Sequence, residues 1–223
     1  MAQQVDSSRI APRLVLDLVI GGGGSVLDVE VRTATDRLQT VDMSGSFTLT
    51  AALEHRIRGR WSGRAQLGWM AVDWKSNGRG GDPYASPWLI GDRWYLDLGV
   101  ARQVLHTQRS QFSLSGVARG MCGMDIKVDY LQGSAFPPST PGEEARFFYR
   151  PAVVPHVDVA WRYRGTKAML GFLLRVGCEY EHFTCERVEL SPGLAMLPDD
   201  LRPLTGARSG WAYTVVLGIT GWE

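Results

Sequence analysis

The stretch CEYEHFTCERVE, from Cys178 to Glu189, gathers thiols, an imidazole, a hydroxyl and carboxylates into one short segment of a 223-residue chain. In an extended segment alternate residues share a face, so His182 and Thr184 point the same way, with Glu186 and Glu189 following them. Cys178, His182, Cys185 and Glu186 are also metal-ligand types. Zinc sites, however, pair closely spaced ligands in two sets, and unpaired buried thiols are the simpler reading of the cysteines. No metal and no cofactor is expected.

Other reactive groupings have plainer readings. Glu179 with Glu181, and Asp125 with Asp129, share faces in a way that suits acid–base work, yet neutralisation of neighbouring arginines explains them as well. Gly21–Gly24 lacks the strand–GxGxxG–helix context of a phosphate loop and is expected to be a flexible loop or a strand break. Asn77–Asp82 carries a single RGG in a chain of net charge +1, so it reads as an exposed turn-rich loop. That balance gives no overall pull toward nucleic acid. Three cysteines do not make a disulfide framework.

The elements that must position these residues are strands. Apolar and polar residues alternate with period two in eight long blocks. In one, Leu14, Leu16, Leu18 and Ile20 oppose Arg13 and Asp17; in another, Val153, Val157, Val159, Trp161 and Tyr163 oppose His156, Asp158 and Arg162. The blocks exceed the about 5–6 residues usual for soluble strands and match the about 9–11 needed to cross a bilayer. Connections alternate between tight turns (Arg58–Arg60, HTQRS, RGT) and long segments at roughly 21–45, 76–91, 131–145 and 184–209. One barrel domain is expected over 1–223, with residues 1–11 outside it. The opening MAQQVDSSRI has no basic or apolar leader region, so an exported protein would be in its mature form.

Aromatics fall at both ends of the apolar face. Trp61, Phe112, Trp161 and Tyr163 lie near the tight turns; Trp94, Tyr130, Tyr149, Tyr180, Trp211 and Tyr213 lie near the long loops. Two such girdles around an aliphatic band are the mark of amphipathic rings at two membrane interfaces. The polar face would then line the interior, where charges must pair. The expected network joins Asp17, Glu54, Asp97, Asp125, Asp158, Glu179 and Glu181 to Arg56, Arg64, Arg119, Arg150, Arg162 and Arg175. Pro151 and Pro155 interrupt the donors of one edge, and unmatched carbonyls are costly in lipid. A bulge, a water or a lateral gap is expected beside them.

This organisation resembles the small eight-stranded outer-membrane barrels of Gram-negative bacteria, such as the transmembrane domain of outer-membrane protein A and the lipid A-modifying barrels. The resemblance implies an all-β, antiparallel, up-and-down transmembrane barrel with four long loops and three tight turns. It also implies outer-membrane location and contact with lipid, lipopolysaccharide included. The lipid A 3-O-deacylase family places a His and a Ser two residues apart at such a strand end. His182 and Thr184 would take those places here as base and nucleophile, with Glu186 as an orienter, although Cys185 replaces the Asn that follows. The palmitoyltransferase barrels open lateral gaps with prolines, which would give Pro151 and Pro155 that role. These departures favour a non-catalytic monomer: a plugged barrel serving envelope structure or surface interaction through its loops, whose extracellular ligand the sequence does not identify. A lipid A-modifying enzyme, a small-solute pore and a soluble lipid-binding barrel are the alternatives.

Overall fold

The computed structural model describes residues 13–35, 37–76, 88–107, 109–122, 124–129, 144–164, 170–196, 198–199, 202 and 204–222. Its strands are β1 (Leu14–Arg32), β2 (Arg37–Arg58), β3 (Trp61–Ser76), β4 (Trp88–His106), β5 (Ser110–Met121), β6 (Met124–Asp129), β7 (Glu144–Tyr149), β8 (Ala152–Arg164), β9 (Leu170–Leu190) and β10 (Thr205–Trp222). A single helical turn, Pro192–Ala195, lies between β9 and β10. Strands β1, β2, β3, β4, β5, β8, β9 and β10 pair in that order, and β10 returns to β1, closing an antiparallel ring of eight. No helix among the described residues is long and apolar enough to cross a membrane, which says nothing of a β-barrel.

The wall is inside out relative to a soluble barrel. Leu18, Leu67, Leu98, Leu114, Val159 and Leu217 are each about half exposed, while Asp17, Asp97 and Arg162 have no exposed surface at all. Water would penalise that apolar belt, and acyl chains would not. The belt is bounded by rings: Trp61, Phe112 and Tyr163 at the tight-turn end, and Trp94, Tyr180, Trp211 and Tyr213 at the other, are exposed. Trp161 is half-buried and stacks on Phe112 at 6.2 Å. Tyr180 meets Trp211 edge to face at 5.4 Å. Tyr130 and the side chain of Asp125 lie outside the described residues, as does Asn77–Asp82.

Two expectations about loops need correction. Gly21–Gly24 is neither loop nor strand break: it pairs on one side with Val216–Tyr213 and on the other with Thr48–Gly45. A Cβ added at Gly23 would come within 2.0 Å of the Tyr213 carbonyl oxygen, so glycine permits the close approach of β1 and β10. The first hairpin therefore continues to Arg32 and Arg37, and β9 likewise runs on to Leu190. At the tight-turn end, Gly59 takes φ 56°, a left-handed conformation that costs glycine nothing.

β6 and β7 are the upper continuations of β5 and β8. β6 pairs with β4 beyond the end of β5, and β7 pairs with β9 beyond the end of β8. Between Tyr149↔Cys185 and His156↔Glu179, the β7–β8 side carries one residue more than β9. An odd insertion reverses which side chains face inward. Val154, His156 and Asp158 are buried below it, and Phe147 and Tyr149 above it. Tyr149 therefore lines the bore and is not part of the outer girdle.

Candidate functional site

Every strand of the ring sends a polar side chain into one interior network. At the tight-turn end Arg162 is its hub: Nη2 donates to Asp17 Oδ2 at 2.7 Å and to Glu54 Oε1 at 2.5 Å, and Nη1 donates to Ser113 Oγ at 3.1 Å. Asp17 also accepts from Thr220 Oγ1 and Arg175 Nη2, each at 2.6 Å. In the middle, Arg64 Nη1 donates to Asp158 Oδ2 at 2.6 Å, and Gln66, accepting from Arg64 and Arg175, donates to Asp97 at 2.9 Å.

Nearer the long loops, Arg119 grips Asp97 with Nε at 2.8 Å and Nη2 at 2.9 Å, and donates from Nη1 to Glu179 at 2.7 Å. Its guanidinium lies 4.3 Å from the centre of the Tyr95 ring. The Tyr95 hydroxyl is within hydrogen-bond reach of Thr50 at 2.7 Å and Thr48 at 3.0 Å. His156 sits between two carboxylates, Nδ1 at 3.0 Å from Glu179 and Nε2 at 3.5 Å from Asp158. Arg93 pairs with Glu181 and lies over Phe183 at 5.2 Å.

Above this layer aromatic rings crowd into the bore. Tyr149 and Phe183 meet edge to face at 6.4 Å, Phe147 is buried beside them, and Arg208 lies 5.9 Å over the Tyr149 ring. A cavity beside Arg93, Glu179 and Glu181 measures about 10 Å³, room for one water. Isolated ions would not survive in such an interior. Arg64, Arg93, Arg119, Arg162 and Arg175 are tolerable because each meets an opposite charge, bidentately in Arg119–Asp97 and Arg162–Asp17.

The sequence placed Asp17, Glu54, Arg64, Asp97, Arg119, Asp158, Arg162, Arg175, Glu179 and Glu181 on the inner face, and the structure joins them there. Arg150 belongs elsewhere: it keeps the facing of β7, before the reversal, so it is exposed and lies 3.8 Å from exposed Glu186 on the outer surface. Arg56 keeps inward parity but sits half-buried at the tight-turn rim. Alternation puts His156 and Gln66 on the polar face but does not mark them as partners in the charge network; Arg93 was missed, although strict alternation from Asp97 places it inward.

Among the described interior residues Ser115 does not form a nucleophile dyad with His156. Ser115 Oγ donates to Asp158 Oδ1 at 2.6 Å and accepts from Arg64 at 2.5 Å, so its proton is committed to a carboxylate. The outer candidates are differently placed. His182 and Thr184 are both exposed in β9, opposite Ser209 and Ala207 of β10. Among the described residues no hydrogen bond joins them, and Glu186 is turned to Arg150. Cys178 is half-buried and Cys185 buried, on opposite faces of β9; among the described residues no three His, Cys, Asp or Glu are arranged to hold a metal ion.

The prolines mark a break in the wall. Pro155 keeps its register with Ala118 of β5, without a bulge. On the other side the β8–β9 ladder ends at His156↔Glu179, and the next backbone bond between the segments is Arg150 N–H to the Thr184 carbonyl at 3.1 Å. Residues 151–155 and 180–183 thus face each other without ladder pairing. Pro151 and Pro155 have no N–H to offer there.

The sequence matches no family model and no curated protein. Among solved structures, the outer-membrane protein OprG from Pseudomonas aeruginosa is similar in fold, with TM-score 0.53 and 9% identity over 93% of this chain and 96% of that one. The outer-membrane protease OmpT from Escherichia coli aligns over 97% of this chain and 100% of its own, with TM-score 0.44 and 8% identity. Neisserial surface protein A aligns over 92% and 97%, with TM-score 0.38 and 9% identity. At such identity a likeness carries the fold and not the activity. Taken with the inverted wall, the likeness to OprG gives the chain the fold of an outer-membrane β-barrel.

Proposed function

We propose that the chain is a monomeric barrel of a Gram-negative outer membrane, surrounded by phospholipid and lipopolysaccharide, that acts without catalysis. In this reading the barrel is a rigid mount, and the connections at its long-loop end carry envelope structure or surface interaction. The observation that supports it is the interior. Ion pairs contributed by β1, β2, β3, β4, β5, β8 and β9 run from Glu54 to Glu181, Thr220 of β10 donates to Asp17, and aromatic rings sit above them. A bore filled this way neither conducts nor holds a ligand.

Planar-bilayer recording tests the plug: the intact protein is expected to give no conductance steps, and stable steps would replace this reading with a solute pore. The lipid A-modifying alternative is tested separately. Expression of the protein and of its His182→Ala variant is expected to leave the lipid A mass spectrum unchanged. A new lipid A species that disappears with His182→Ala would establish the enzyme.

A further inference from the structure

The two ends of the barrel differ in charge. At the tight-turn end Arg58, Arg60 and Arg109 project from the turns and are exposed. Arg13, Arg56 and Arg164 follow the rim, with the Arg56 N–H donating to the Arg13 carbonyl at 3.0 Å. Arg102 stands on the outer wall with its guanidinium 5.5 Å from the centre of the Trp61 ring. Among the described residues no exposed carboxylate shares this end. Its acidic side chains, Asp17 and Glu54, are buried and bonded to Arg162. The long-loop end, by contrast, interleaves its signs: Glu30 with Arg32 and Arg37, Arg150 with Glu186, Arg187 with Glu189.

We propose that this arginine collar binds the phosphates of anionic phospholipid headgroups in the leaflet that meets the tight turns. Depth favours lipid over a soluble partner. The collar directly abuts the lower girdle of Trp61, Phe112 and Tyr163, whose exposed rings belong at the headgroup level. Arg102, stacked on Trp61, is part of both. Guanidinium also suits the chemistry, since its planar fork meets phosphate oxygens bidentately. The proposal rests on the membrane-barrel reading and deepens it by assigning a lipid class to one end.

The test uses the full chain in nanodiscs of equal zwitterionic and anionic phospholipid with matched acyl chains, followed by native mass spectrometry of the lipids retained on ejection. Retained lipid is expected to be enriched in the anionic species, by roughly fivefold per arginine engaged, and less so as salt is raised. Arg58→Gln/Arg60→Gln/Arg109→Gln should lower the enrichment by roughly fivefold for each of the three that is engaged. Arg32→Gln/Arg37→Gln/Arg187→Gln at the other end should leave it enriched. Heat-modifiable gel migration shows that each variant is folded. A folded barrel that leaves the discs defeats the membrane reading itself. One that stays in the discs without enrichment, or loses it equally in both variants, overturns the collar alone. Binding of soluble polyglutamate with no lipid enrichment would overturn it in favour of an acidic polymer.

Discussion

Arg162 touches two carboxylates and a serine from other strands, with no exposed surface of its own. Removing one partner from such a group leaves the others as uncompensated buried charge. Arg162→Met is therefore expected to destabilise the folded barrel by about 3–5 kcal/mol, read from urea unfolding in lipid vesicles. Arg93 and Glu181 allow a cleaner comparison because their pairing is mainly mutual. Arg93→Met and Glu181→Leu should each be costly and the double variant much less so. Additive losses would show that the pair does not couple. Gly177 is a third sensitive position. A Cβ there would meet the His156 ring at 2.6 Å, so Gly177→Ala should push the imidazole off Glu179 and shift the His156 NMR resonances. At this scale the sequence was largely legible, because alternation assigns each residue a side. It did not say which inward arginine meets which carboxylate, since partners such as Arg162 and Asp17 lie on strands far apart in the chain.

The strands themselves show where alternation fails as a guide. Tyr149 reads as outward by counting from Val153, yet one additional residue between Tyr149 and His156 turns it inward. Local patterning on either side of such an insertion stays intact, so only the register against β9 exposes it. Gly21–Gly24 misleads for a different reason: without side chains a paired strand shows no alternation at all. The seam between β8 and β9 is the weakest part of the ring, because residues 151–155 and 180–183 share no ladder bonds. Hydrogen exchange should find the amides of Val153, Val154 and Glu181–Phe183 exchanging faster than those of Val157–Tyr163 in the intact ladder. Uniform protection along the seam would mean that other contacts seal it.

The whole molecule is held by two surfaces of opposite chemistry: an apolar exterior suited to acyl chains and a paired-charge interior suited to none. The folded protein is expected to need detergent or lipid to stay monodisperse and to migrate differently on gels before and after boiling. Brominated acyl chains should quench its tryptophan fluorescence, with Trp61, Trp94 and Trp211 exposed on the outer wall. A monodisperse monomer in plain buffer would refute the membrane barrel. The end-to-end charge difference also belongs to this scale, since Arg13, Arg58, Arg102, Arg109 and Arg164 become one collar only when the ring closes.

By itself the sequence determined that the chain is built of long strands, which face of each is apolar, and that aromatic residues bound the apolar band. Those properties follow from period-two alternation, a local consequence of strand geometry. Only the tertiary structure decided that β10 closes on β1, that one extra residue turns Tyr149 into the bore, and that the ladder beside Pro151 and Pro155 lapses. Closure, register and charge pairing are relations between distant segments, and no local pattern encodes which neighbour a strand will meet.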